Sequence, residues 1–339
     1  MVEISSFWHT PKGSKGISVI ELLSIKSFCD NGYKFVLYTY EADSPIYQNL
    51  VSELENFEVR DANVIVPFSE YFSDDRGAGV AAFSDYFRYH LCHFGVPAIN
   101  GGGITDLMPN TITPVWVDLD MVSLHPNFDF SNLPFLFVSE TDKYSNFARI
   151  TTCVLKLPRA SSFGERLIQE TKRVINGRKH VPWGCIGPDF LDRMVRSFGL
   201  QHFTLAWQES SQIPAFEAER FIIGNTSLDS SRPLLHLYLE MWRQNCFNKR
   251  YFYKTGVVGE LLQKYHVYEF AMRIGLENYD KEFSFMLSEL SRKNHEIYCR
   301  LRLLLSMIRR PKRLFSLLKA QNPLQERPSS ICEVRDLKP

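Results

Sequence analysis

No excess of either charge marks this chain. Lys and Arg number 39 against 38 Asp and Glu, a formal net charge of +1, so the bulk attraction expected of a nucleic-acid binder is missing and no nucleic-acid partner is expected. No apolar run approaches the ~18 residues of a membrane-spanning helix, and Met1 to Gly16 lacks the basic and apolar regions of a secretory leader. The seven cysteines, Cys29, Cys92, Cys153, Cys185, Cys246, Cys299 and Cys332, form no Cys-x-x-Cys pair. That speaks against a zinc ribbon or a dithiol centre; reduced thiols and a cytoplasmic location are expected. Neither Gly-x-Gly-x-x-Gly nor Gly-Lys-Ser/Thr occurs, and no internal repeat is visible.

What is present suits a globular enzyme-sized body. The chain has 339 residues, 45% of them hydrophobic and 14% aromatic, enough for a large core and aromatic-lined pockets. Ser18 to Cys29 reads as a helix stopped by Asn31-Gly32, and Phe35 to Tyr40 as a strand. Pro45 to Phe57 then reads as helical, Asn63 to Val66 as a short buried strand, and Ala81 to Phe94 as a helix. Val115 to Val122, Pro134 to Val138 and Ile150 to Leu157 read as further strands, which makes the fold class α/β. The core is expected to span 1–266. Val267 to Ile308 is helix-compatible and predicts a C-terminal helical appendage over 267–322, with a loose tail over 323–339 rich in Pro and Ser.

The chemistry centres on Asp118 and Asp120. Two apart at the polar end of the apolar run Val-Trp-Val-Asp-Leu-Asp-Met-Val, they can aim both carboxylates into one crevice at a strand's carboxyl end, where α/β proteins bind ligands. Two hard oxygen donors suit Mg²⁺ or Mn²⁺ completed by substrate phosphate. The spacing alone also arises by chance, and two solvated loop carboxylates would look the same. The preceding helix supplies context, because Asp85 and Arg88 share one of its faces. They can contact ribose and diphosphate or orient the metal carboxylates, or they can form an ordinary surface ion pair.

Phe83-Ser84-Asp85-Tyr86-Phe87-Arg88-Tyr89, followed by Val115 to Val122 and Leu124-His125-Pro126, resembles the DXD-containing glycosyltransferases of the GT-A fold. The nearest resemblance is to capsular-polysaccharide, α-1,4-galactosyltransferase-like and Och1-like enzymes. It extends over roughly residues 4–265 and takes in Phe7-Trp8, Leu155 to Pro158, Gly187-Pro188 and His236 to Trp242. The resemblance implies a GT-A, Rossmann-like core and transfer of a hexose from a nucleotide sugar, expected to be a UDP-sugar, to a glycan or lipid-linked glycan with retention. It further implies that Trp8 stacks on the base beside Trp116, that Asp85 holds ribose, and that Arg88 contacts donor or phosphate. Asp118 and Asp120 would hold Mn²⁺ or Mg²⁺, with His236 approaching the metal diphosphate.

Relatives run from the helix through a Gly-Gly pair into the Asp-x-Asp strand, whereas here Pro97 to Pro114 intervene, with Gly101-Gly102-Gly103 among them. A loop is expected there, either an acceptor-side lid or a harmless excursion, or else a lesion of the site. Outside the resemblance, a lone His236 in an apolar run reads equally as a hydrogen-bonded core residue, and Trp8 and Trp242 as packing aromatics. Glu140, Asp142 and Asn146 can supply sugar contacts. Arg300 to Lys319 carries seven basic residues and no acid among leucines, a pattern suited either to peripheral contact with an anionic membrane or to a packed helix with a solvated face. A haloacid-dehalogenase-like phosphohydrolase with Asp118 as nucleophile, and an inactive glycan-binding scaffold, are the alternative readings.

Overall fold

A computed structural model describes residues 2–75, 79–95, 99–100, 103–104, 113–126, 128–141, 148–178, 180–222, 226–244, 247–276, 300, 301 and 304. Among these, seven strands form one sheet in the order Thr204–Leu205, Leu136–Thr141, Ala148–Lys156, Thr113–Val117, Val2–Trp8, Phe35–Thr39, Phe57–Asp61. All neighbours run parallel except Ala148–Lys156, which is antiparallel to the strand on either side. The chain is thus a layered α/β protein with a mostly parallel central sheet, as the alternation of apolar periods implied.

Side chains alternate across the sheet. Phe35 and Leu37 enter the core on one face, where the helix Val19–Asp30 packs, while Val36 and Tyr38 enter the other, where the helix Ala81–Phe94 packs. Val115 and Val117 likewise oppose Trp116. The helix Val19–Asp30 starts with a reciprocal cap between Ser18 and Glu21 and is buried nearly all round, which explains why its apolar residues show no single stripe. Gly95, at φ +75, ends the Ala81–Phe94 helix in a conformation that side chains other than glycine resist. Pro114 is tolerated in an interior strand because the antiparallel neighbour pairs only with Trp116 and Val117.

Several expected boundaries move. The helix beginning at Pro45 ends at Glu53, and Phe57 opens the strand that pairs with Phe35. Asn63 to Val66 is no strand: the Asp61 carboxylate accepts from the Asn63 backbone N–H and starts a short 3-10 turn, Ala62–Val64. The run Val115 to Val122 breaks in two at Val117, with a turn over Asp118 to Asp120 before the strand Met121–Ser123. Within the segment 97–114, Ile99–Asn100 pairs with Gly103–Ile104, and Thr113 and Pro114 already belong to the central strand; the rest of the segment lies outside the described residues. The helix Val267–Arg273 closes at Ile274-Gly275, with Gly275 at φ +71, and buries Val267, Phe270 and Ala271 in the main core, so the packed body reaches Leu276 rather than stopping at 266. The remaining appendage, the basic segment but for 300, 301 and 304, and the tail lie outside the described residues. Among the described residues no helix is long and apolar enough to cross a membrane.

One buried group gives the fold a pH signature. His90, on the Ala81–Phe94 helix, is wedged between the Tyr86 and Phe94 rings, and its Nδ1 is buried without a partner. Burial, aided by Lys172 and His93, pulls its pKa from 6.5 down to about 3. Because the folded-state value is the lower one, this contribution is complete above pH 6.5 and is lost as the pH falls below it. At pH 5 the loss should be about 2 kcal/mol. Urea unfolding of the parent and of His90→Gln at pH 7.5 and pH 5 should show that much more acid sensitivity in the parent, and equal sensitivity would refute the assignment.

Candidate active site

The chain leaves Val2–Trp8 toward Phe35–Thr39 on one side and returns to Thr113–Val117 on the other. The carboxyl ends of these diverging neighbours, Trp8 and Val117, therefore frame a crevice of the kind in which open α/β sheets bind ligands. Asp118 and Asp120 sit at its floor, on the turn rather than on the strand. The turn is fixed by backbone bonds from Asp118 N–H to Cys153 C=O (2.8 Å) and from Met121 N–H to Asp118 C=O (3.0 Å). A two-residue offset on a turn, not strand alternation, thus brings the carboxylates together.

Arg88 reaches this floor from the Ala81–Phe94 helix. It is 4% exposed, its Nη2 is 3.2 Å from Asp85 Oδ1, and its Nη1 is 2.9 Å from Asp118 Oδ1. Its remaining donors bond to the Thr152 carbonyl at 2.5 Å and the Ser84 carbonyl at 3.2 Å, and its guanidinium carbon lies 4.6 Å from the Trp116 ring centroid. A guanidinium so satisfied is a fixed strut rather than a surface partner. Trp116 is itself buried, and its indole N–H donates to Asp118 Oδ1 at 2.8 Å. The expected i,i+3 pairing is therefore extended into a chain, Asp85–Arg88–Asp118.

Asp120 has a separate partner. Its Oδ2 lies 3.4 Å from His236 Nε2 and accepts from the Leu239 backbone N–H at 3.0 Å. Tyr238, at φ +54, turns the chain so that this N–H points at the carboxylate. Burial raises Asp120, but His236 and the hydrogen bonds outweigh it and hold the carboxyl below the ordinary value. Burial opposes a charged His236, yet Cys153 and Asp120 raise its pKa well above the usual histidine value. His236 thus stands beside Asp120, its Nε2 facing the Oδ2 that also accepts from Leu239. Burial and then the nearby Asp118 push Asp85 up to about 7, against the pull of Arg88 and Thr152.

Two cavities of about 300 Å³ and 310 Å³ meet at Arg88, Asp118 and Asp120. The second holds Trp8, Trp116, His9 and Lys249; Lys249 Nζ lies 4.9 Å from the Trp8 ring centroid and pairs with Glu21. The first holds Asp85, Glu140, Arg149, Trp183 and His236. Asp85 faces the first cavity and Trp8 the second, on either side of Arg88, Asp118 and Asp120. Trp242 is buried against Phe247 and Tyr253. Asp142 and Asn146 lie outside the described residues. Asp189 and Asp192 pair with Arg149 and Arg196, not with Asp118, so the second acidic cluster a phosphohydrolase needs is not assembled from them. Arg149, Thr152 and Lys249 were not singled out from sequence, for each comes from a remote segment with no motif of its own.

Among the described residues no three His, Cys, Asp or Glu side chains are gathered into a metal cage. Mg²⁺ and Mn²⁺ need only one or two protein carboxylates when water and phosphate complete the shell. Here Arg88, Trp116, His236 and Leu239 use Asp118 Oδ1 and Asp120 Oδ2, leaving Asp118 Oδ2 and Asp120 Oδ1 as donors. The residues fit a divalent ion of that kind.

No family model and no curated protein matches the chain. Solved structures it is similar to include one described as PaToxG Glycosyltransferase, with a TM-score of 0.40 and 13% identity over 58% of this chain and 69% of that one. Others are two forms of the glycosyltransferase GlyE of Streptococcus pneumoniae TIGR4, each with a TM-score of 0.41, at 11% and 12% identity over 81% of this chain. The chain spans 62% of the length of each GlyE chain.

Proposed function

We propose that the protein is a metal-dependent glycosyltransferase with a GT-A core, moving a hexose from a UDP-sugar to a glycan hydroxyl with retention in surface polysaccharide synthesis. The observation that carries the reading is the strut Asp85–Arg88–Asp118 at the junction of two cavities, beside a second carboxylate with a free oxygen. The cavity lined by Trp8 and Trp116 offers an indole face for a base, and Lys249 a cation for phosphate. Asp118 and Asp120 would hold Mn²⁺ or Mg²⁺, which when bound neutralises charge gathering on the departing nucleoside diphosphate. Arg88 keeps Asp118 oriented, His236 and the Leu239 N–H keep Asp120 ionised and aimed, and Asp85 faces the side on which sugar hydroxyls would lie.

Incubation with Mn²⁺ and a panel of UDP-hexoses should release UDP, EDTA should stop the release, and added Mn²⁺ should restore it. UDP release indifferent to the chelator, or phosphate release from sugar phosphates in its place, would overturn the reading.

A further inference from the structure

Large apolar side chains left in water beside a polar cavity are informative, since apolar rings are normally buried. Trp183 is 41% exposed and lines the cavity that contains Asp85 and His236. No other exposed large apolar residue among the described ones lines either cavity at the carboxylate pair. The ring is not on a loose loop. Trp183 N–H donates to Asp75 Oδ1 at 2.9 Å, its segment follows the pairing of His180–Val181 with Ser73–Asp74, and turns through Gly184 and Gly187 lead into the helix Pro188–Ser197. An indole standing at the rim of a polar cavity on a backbone held in this way, through the Trp183 main-chain N–H, is the chemistry that receives the C–H face of a pyranose ring.

The charges at the same rim define which pyranose. Arg149 bonds to Glu140, and its Nη1 is 2.7 Å from Asp189 Oδ1, so its cation is already shared by two carboxylates. Around the whole lining Asp85, Asp118, Asp120, Glu140 and Glu240 outnumber Arg88, Arg149 and His236, an excess of negative charge that disfavours a second anion. We infer that this cavity is the acceptor site, that Trp183 is its stacking platform, and that it takes a neutral pyranoside and rejects a uronate. The inference rests on the transferase reading for the word acceptor alone; the sugar site itself stands on Trp183 and its neighbours.

The test is saturation-transfer NMR with methyl gluco-, galacto- and mannopyranosides and methyl glucuronide, on the parent, Trp183→Ala and Trp183→Tyr, each checked for an unchanged melting curve. Binding of UDP with Mn²⁺ is measured separately on the parent. At least one neutral glycoside should bind the parent and the glucuronide should not, Trp183→Ala should weaken binding about tenfold, and Trp183→Tyr should restore most of it. The site is overturned if no neutral glycoside binds, if Trp183→Ala binds as well as the parent, or if the glucuronide binds equally. A parent that binds glycosides through Trp183 but not UDP with Mn²⁺ refutes the transferase reading and leaves a sugar site.

Discussion

Exchange of Asp118 and Asp120 for asparagine should lower UDP-hexose turnover by about 10³-fold, the scale seen when a single pre-organised electrostatic partner is removed from a reaction centre. Asparagine preserves shape and much of the local bonding: at 118 its carbonyl can still accept the Trp116 indole N–H, and at 120 the Leu239 N–H. What it removes is the charge available to a divalent ion and to His236. The double variant, which leaves buried Arg88 and His236 short of a counter-charge, should melt below the parent yet stay folded at the assay temperature, while losing both Mn²⁺-dependent UDP binding and turnover. Turnover within tenfold of the parent, under saturating donor and Mn²⁺, would remove the carboxylates from the mechanism.

Loss of Arg88 should be felt first as instability. Arg88→Met keeps an apolar stem over Trp116 but strands Asp85, itself 6% exposed, and leaves Asp118 without its cation. Breaking a buried pair by removing one member costs about 3–5 kcal/mol, because the surviving charge has no solvent to return to. Urea unfolding should shift accordingly. Asp85→Asn introduced into the Arg88→Met background should recover part of the loss, a coupling that a cycle of the four proteins would measure. Two losses that simply add would mean that the two residues do not act as a strut.

These two experiments bear on a site that was only half readable in advance. The helix Ala81–Phe94 was legible to the residue, since its apolar spacing and closing glycine leave little choice, and the partnership of Asp85 with Arg88 follows from helix geometry. The aspartates were found as a pair but on the wrong support: two apolar stretches, Thr113–Val117 and Met121–Ser123, flank a tight turn that no glycine or proline announces. Phe57 misled for a related reason. An apolar residue seven after Leu50 and three after Leu54 continues a helical stripe as readily as it opens a strand, and only its pairing with Phe35 decides. Lys249 and Arg149 reach the cavities by tertiary packing, so neither spacing nor composition marks them.

The bond from Leu239 N–H to Asp120 Oδ2 ties a wall to the floor. The helix Leu239–Gln244 contributes Leu239 to one cavity and Glu240, Met241 and Gln244 to the other, and its first N–H rests on the same carboxylate that faces the crevice. Whatever draws on that oxygen also tugs the partition between the chambers. The same contact therefore sets the position of the wall shared by the two chambers relative to the carboxylate on their common floor.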